Sequence, residues 1–386
     1  MNVWSAIYSL FFAKPIKDPF PLNRLPDVPR IRIFRLMDGE EQVKLAFSSE
    51  RMEQYIRIAK IRYFDYCQVQ IDKEKFTIEL KHSRLAARSG DSIMRFQKTA
   101  KLIEKDMKPW LNEESSVMEN VLTVTKRLQT TYPCKETGVI FIDNTPSVIK
   151  HVLEALDDFI YVSLGGKNLK VEAVDLAMDS FKKGREISYG AVEMPLDYSH
   201  PNAFKFVIIY YYDARWVRLE NLFSMRGIRS VELERTNLKC EDLNTLLKYW
   251  TTSDERMTYG LRIGITQETN IQEKTLFDGL IVLKTVQSGT RVTLLANHRK
   301  KLVLNITLEP KNFKVYEYSQ DDHLTRSQRT RFTKEYRILE ILQKKKELVE
   351  DGENWEKIGD KIRQLEEELS KNGVYDVKGI AYVDKL

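Results

Sequence analysis

The sequence predicts an α/β protein: leucine-rich-repeat-like βα units forming a mainly parallel sheet, with a small helical module before them and a helical hairpin after. Three observations predict it. From about Gly138, short β-rich runs (139–142, 159–164, 204–212, 228–233 and 259–265) alternate with amphipathic helical stretches. The segment 159–181 superposes without a gap on 228–250, an offset of 69 residues that brings Val162 onto Val231, Leu164 onto Leu233 and Asn168-Leu169-Lys170 onto Asn237-Leu238-Lys239. In each copy a strand ends at the Leu, a turn carries Asn-Leu-Lys and a helix follows, so each unit hides its apolar face only by stacking on the next. Finally, Trp355, Ile358, Ile362, Leu365 and Leu369 recur three and four residues apart, the seam of a helix.

Residues 1–19 read as a tail. The apolar run Val3 to Ala13 has no basic residue before it and Lys14-Pro15 directly after it, which is not the layout of a secretory leader. It is also shorter than the roughly 20 residues that a membrane span requires. Cys67, Cys134 and Cys240 are widely spaced, so neither a disulfide framework nor a Cys-x-x-Cys pair is expected. A reducing compartment, cytoplasmic or nuclear, is the expected location.

The module at 20–60 begins where five prolines (15, 19, 21, 26 and 29) forbid a continuous helix before about residue 28. Asp27 is placed to cap a helix. Ile31, Ile33, Phe34, Leu36 and Met37, then Val43, Leu45, Phe47, Met52, Tyr55 and Ile56, predict two or three short helices. A unit of about 40 residues buries too little to stand alone, so it needs a partner surface in this chain or in another protein.

In the connector at 61–135, residues 67–80 alternate around Asp72-Lys73-Glu74-Lys75, a hairpin pattern. Ile93, Phe96, Ala100, Ile103 and Met107 then suggest a helix ended by Pro109, with a second helix over 113–127. Within the domain at 136–320, residues 204–225 read as a degenerate third unit, and 281–283, 292–295 and 302–308 as an antiparallel meander closing the sheet. The hairpin at 325–372 is broken at Asp351-Gly352 and stopped by Gly373. Its short seam is expected to pack on the body of the protein rather than dimerise. Residues 373–386 read as a C-terminal tail.

No catalytic motif is present: no phosphate-binding or dinucleotide glycine loop, no His-Glu-x-x-His and no Gly-x-Ser-x-Gly. His82, His151, His200, His298 and His323 are scattered, so neither a metal nor a cofactor is expected. A net charge of +6 over 386 residues is not the footprint of a nucleic-acid binder. Gly165-Gly166-Lys167 reads as a repeat turn, since Glu234-Arg235-Thr236 holds the same place in the other copy. His298 to Lys301 and Arg326 to Arg331 read as solvated loop charge, and Tyr210-Tyr211-Tyr212 beside Trp216 as core. A binding protein, not an enzyme, is the expectation.

Two segments resemble a known family. Phe20-Pro21-Leu22-x-x-Leu25-Pro26-Asp27, followed by Ile33-Phe34, Met37, Glu41, Val43-Lys44 and Arg51, resembles the F-box. Trp216-Val217-x-Leu219-x-x-Leu222-Phe223-Ser224-Met225, running into Asn237-Leu238, Asp242-Leu243-Asn244 and Leu246-Leu247-Lys248-Tyr249-Trp250, resembles the type 2 F-box-associated domain of nematode F-box proteins. The resemblance implies a substrate-recruiting adaptor of a Skp-cullin-F-box ubiquitin ligase. A Skp-type adaptor, and through it a cullin, would dock on Leu22, Leu25, Pro26, Ile33, Phe34, Met37 and Val43. The repeat domain would capture a target protein. Pro29-Arg30, Gly39-Glu40 and Glu50 depart from the F-box pattern, which leaves a repeat-based interaction module with a non-functional F-box as the alternative.

Overall fold

The computed structural model describes residues 22–59, 64–73, 75–84, 95–156, 158–167, 169–265, 271–285, 291–296, 301–322, 324–351, 355–377 and 380–383. Val3 to Ala13, Phe20, the prolines at 15, 19 and 21, Ile93, Asn168 and His298 to Lys300 lie outside the described residues, as do the side chains of Phe96, Trp355 and Ile358.

The module at 20–60 forms three helices of ten residues each: α1 (Asp27–Leu36), α2 (Gly39–Ser48) and α3 (Glu50–Ala59). Pro26 rather than Asp27 holds the N-cap position of α1, and Arg30 pairs back to Asp27 at 3.0 Å. A capping box opens α2, where Asp38 accepts from the Glu41 N–H at 2.8 Å and Glu41 accepts from the Asp38 N–H at 3.1 Å. The partner surface that the module needs lies in this chain. Phe34, Val43, Phe47 and Ile56 join the main core, and Glu53, 4% exposed, accepts from Arg127 Nε at 2.9 Å and from Thr131 Oγ1 at 3.0 Å. Arg127 and Thr131 belong to α4 (Val117–Thr131), which begins one turn later than the sequence suggested because Ser116 and Glu119 form its capping box.

β1 (Tyr66–Asp72) and β2 (Lys75–Arg84) make the expected hairpin, with Lys73 in the left-handed region at its turn. The helix expected from 91 to 107 is instead strand β3 (Arg95–Ile103), antiparallel to β2, followed by a single helical turn at Glu104–Met107. Ala100 and Leu102 are buried while Lys101 and Ile103 are exposed, so the apolar residues also fit a period of two. The free edge of β2 offers a ladder that decides between the two periods.

From there the chain alternates as predicted: β4 (Glu136–Ile142), α5 (Pro146–Ala155), β5 (Tyr161–Gly165), α6 (Val171–Asp179), β6 (Glu186–Tyr189), β7 (Ile208–Tyr211), α7 (Leu219–Phe223), β8 (Ser230–Leu233), α8 (Cys240–Thr252) and β9 (Gly260–Gly264). β1 and β4 through β9 pair in parallel. Their register sets Tyr161, Glu186, Ile208 and Ser230 side by side, so the 69-residue offset spans three unit steps. One unit escaped sequence analysis. β6 is four residues long, and the segment after it is irregular, with Val192, Met194, Phe204 and Phe206 buried where a helix would otherwise pack.

The turns after β5 and β8 share a backbone conformation. Gly166 (φ +117°) and Arg235 (φ +49°), 69 residues apart, both take left-handed backbone. A Cβ on Gly166 would lie 2.0 Å from Asp143 Oδ1, which explains the glycine as a turn residue.

An antiparallel group ends the sheet: β10 (Val282–Thr285), β11 (Arg291–Ala296), β12 (Leu302–Glu309) and β13 (Asn312–Ser319), the last pairing with β9. The C-terminal hairpin consists of α9 (Arg326–Asp351) and α10 (Trp355–Lys371), stopped at Gly373 (φ +74°). Residues expected as a tail contribute β14 (Val374–Val377) and β15 (Ile380–Val383), and β15 pairs in parallel with β10. Among the described residues one 15-stranded sheet results, in the order β14-β15-β10-β11-β12-β13-β9-β8-β7-β6-β5-β4-β1-β2-β3.

Coverage of this sheet is uneven. In β5 through β8, every second residue is buried on the helix side and the alternates are half-exposed. In β12, Leu302 to Ile306 are all buried, because α9 covers the second face there. Leu365 and Leu369 pack with Phe332 and Ile341 of α9 and with Leu283 and Val303 of the sheet, so the hairpin does pack on the body.

Adjacent residues on β7 test this one-sided coverage. Ile209→Ala, which empties a core position, is expected to cost about 2–5 kcal/mol. Tyr210→Ala, on the other face, is expected to cost about 1 kcal/mol or less in the same urea titration. Equal losses would mean that both faces are covered.

Candidate functional site

Among the described residues no helix covers the second face of the parallel strands, which carries one continuous row of half-exposed side chains. Ladder register aligns Gln70, Ile140, Ser163, Ser188, Tyr210, Glu232, Arg262 and Lys314, one from each of eight neighbouring strands. With strands roughly 4.8 Å apart, the row is about 34 Å long. Tyr161 and Tyr212 flank it on the same face, and the Arg235 guanidinium lies 5.8 Å from the Tyr212 ring centre.

Its two ends differ in chemistry. Toward β5 and β6 the row is hydroxyl-lined and uncharged. Toward β8 and β13, Arg262 pairs with Glu232 at 3.2 Å and Glu234 at 3.7 Å and donates to Asn312 Oδ1 at 3.0 Å. Burial, with Glu234 and Glu232 nearby, pushes the Tyr210 phenol above its usual range, so it stays a neutral donor at neutral pH.

The tyrosine run expected as core is split by the strand. Tyr211 is core, stacked on Tyr189 with ring centres 5.2 Å apart and donating to the Ala203 carbonyl at 2.5 Å. Tyr210 and Tyr212 stand on the open face. Strand alternation through the run was the signal that could have found them.

The seven residues assigned to adaptor docking divide. Pro26 is exposed; Leu22, Leu25, Ile33 and Met37 are half-buried. Phe34 and Val43 are fully buried inside this chain and hold the helices together rather than offering themselves to a partner. Arg30, at a position departing from the F-box pattern, turns inward: its guanidinium lies 3.9 Å from the Tyr55 ring centre and donates to the Leu22 carbonyl at 3.3 Å and to that of Leu25. Sequence reasoning missed Leu36, 58% exposed, which joins Pro29 and Ile33 at i, i+4, i+7 spacing as an outward apolar stripe on α1.

Cys67 and Cys134, distant in sequence, meet in space. Hydrogen bonding with Cys134, reinforced by burial, raises the Cys67 thiol well above its usual range. Among the described residues, no group of three or more His, Cys, Asp or Glu comes together as metal ligands, and no helix is long and apolar enough to cross a membrane. Comparison with family models, curated proteins and solved structures finds no match to this chain.

The anchor that holds the helical module has a pH signature. Burial alone would push the Glu53 carboxyl up, but hydrogen bonds from Arg127 and Thr131 outweigh it and hold the group below its usual range. Its contribution to stability is present above the ordinary value of 4.5 and lost as pH falls through the lower folded value. Glu53→Gln is expected to cost about 2 kcal/mol at neutral pH. In denaturant titrations the gap to wild type should close as the pH drops below 4.5; a gap that persists into strong acid would refute the pairing.

Proposed function

We propose that the chain recruits a target protein to a ubiquitin ligase, with the open sheet face capturing the target and α1–α3 docking on a Skp-type adaptor that leads to a cullin. The cytoplasm or nucleus is where such a subunit would act. The observation that carries the capture half is the eight-strand row that no described helix covers, on a sheet whose other face is packed. Stacked-repeat proteins use such extended sheet surfaces to bind partners. Tyr161, Tyr210, Tyr212 and Arg262 are of the residue types in which interfaces concentrate their binding energy.

The adaptor half rests on the resemblance of residues 20–60 to the F-box, and the outward stripe of Pro29, Ile33 and Leu36 beside Leu25 and Pro26 supports it. A module already fastened to its own chain through Glu53 keeps this apolar surface free for another protein. Apolar positions at this spacing suit a helix laid in a groove.

One observation favours the second reading, an interaction module whose F-box no longer works. Arg30 folds back onto residues 22–25, and Phe34 and Val43 are taken up by the chain's own core.

Co-purification with the Skp-type adaptor separates the two. Wild type is expected to capture it, and both Leu25→Ala with Pro26→Ala and Ile33→Asp with Leu36→Asp are expected to abolish capture. Tyr210→Ala with Arg262→Ala should leave adaptor capture intact while weakening target binding roughly a hundredfold or more, the loss of two interface anchors. Failure of wild type to bring down the adaptor would leave the second reading.

A further inference from the structure

The basic run Arg326 to Arg331, expected as solvated loop charge, is helical, and its last member turns inward. A cleft of about 350 Å³ opens between the start of α9 and strands β11–β13, lined by Arg291, Asn305, Tyr318, Gln328, Arg331 and Glu335. Asn305 is the cross-strand partner of Tyr316, which stands on the same side of β13 as Lys314 at the end of the open row. The cleft therefore sits where the hairpin begins to cover the face that the parallel strands leave bare.

Its charges do not balance. Glu335, buried, accepts from Arg331 Nε at 3.0 Å and from Thr293 Oγ1 at 3.3 Å, and Arg291 Nη2 lies 4.0 Å from the same oxygen. Arg291 Nε donates to Asn305 Oδ1 at 2.7 Å. Two guanidinium groups thus face one carboxylate. Nη2 of Arg331 is buried and has no hydrogen-bond partner, a costly state for a donor on a charged group. Burial also lowers the Arg291 guanidinium against the attraction of Glu335.

We propose that this cleft binds a carboxylate group, held by Nη2 of Arg331 and by Arg291. A guanidinium edge presents two parallel N–H groups matched to carboxylate oxygens, and the orphaned donor gains its partner. One added negative charge cancels the excess of one, whereas a phosphate dianion would press surplus charge against Glu335 in a half-desolvated site. The cleft is remote in sequence from α1–α3, and the assignment stands whether or not an adaptor docks there.

The test follows the arginine Nε–Hε signals of the full chain by nitrogen-15 NMR during titration with propionate, inorganic phosphate, and blocked Ala-Glu-Ala and Ala-Gln-Ala tripeptides. Propionate is expected to shift Arg291 and Arg331 saturably and to bind more tightly than phosphate. Arg331→Lys, which keeps a cation near Glu335 but loses the second N–H, is expected to weaken propionate about tenfold with the melting temperature unchanged. Ala-Glu-Ala binding more tightly than propionate, with Ala-Gln-Ala silent, would place the carboxylate on a polypeptide; equal binding would place it on a small molecule. Absence of saturable shifts, tighter binding of phosphate, or wild-type binding by Arg331→Lys would each overturn the assignment.

Discussion

The structure depends on one constraint: each short parallel strand gives only every second residue to the core. β6, β7 and β8 each bury two strand side chains on the helix side, Ile187 and Tyr189, Ile209 and Tyr211, Val231 and Leu233. Burial of such side chains contributes about 1.5–3 kcal/mol apiece. Ordering the 22-residue unit from Ile208 to Arg229 costs about 1–2 kcal/mol per residue in backbone freedom alone. No unit can fold by itself, so each must be flanked, and the two ends of the stack need caps of another kind. The β1–β3 hairpin pair with the helical module forms one cap. The antiparallel strands with the C-terminal hairpin form the other.

The second cap is fastened where the sheet changes sense. β13 runs antiparallel to β9, and Glu317 at that junction is buried, 1% exposed at its side chain, accepting from Trp250 Nε1 at 2.7 Å and Arg256 Nε at 2.6 Å. Arg256 also reaches Asp322 at 3.2 Å, which in turn accepts from the Ser319 N–H at 2.6 Å. Helix α8, the end of β13 and the turn beyond it are thereby tied at one buried carboxylate. Such a group is tolerated only because its hydrogen bonds are made. The two glycines of β9 allow close approach on its two sides: a Cβ on Gly264 would fall 3.1 Å from Glu234 Cα at the end of β8, and the Tyr316 ring of β13 lies over Gly260.

What the sequence revealed followed from local pattern, and what it hid followed from competition between patterns. The repeat was legible because Val162 and Leu164 recur as Val231 and Leu233 with their turns and helices attached. β6 was not, because four residues without a helix after them carry no periodic signal. The spacing of Ala100, Ile103 and Met107 satisfied a helix, yet the unpaired edge of β2 made a strand of the first two. In the helical module the apolar residues were found, but their division was not. Phe34 and Val43 face inward and Leu36 outward because the rest of the chain, with β3 against α2 and α4 against α3, supplies a docking surface on one side, a fact of tertiary structure. The same holds for Arg331: Arg326 and Arg329 before it are exposed, while its own guanidinium meets Glu335 one turn further along α9.

Uneven coverage of the sheet explains where binding chemistry gathers. A helical hairpin could in principle cover the whole second face, as it covers β10–β12. The residues ahead of it change: Leu283, Leu295 and Val303 accept an apolar helix, whereas Ser163, Ser188 and the Glu232–Arg262 ion pair would lose water beneath one and gain no hydrogen bond from it. Polar residues on the open face thus act twice. They disfavour an apolar helix over this face, and they leave hydroxyls, aromatic rings and a paired arginine half-exposed along it. At the edge between the two regimes a helix must end over a surface it cannot fill. Arg291, Arg331 and Glu335 lie at that edge, half-desolvated and unequal in charge, and this imbalance is what the proposed carboxylate would relieve.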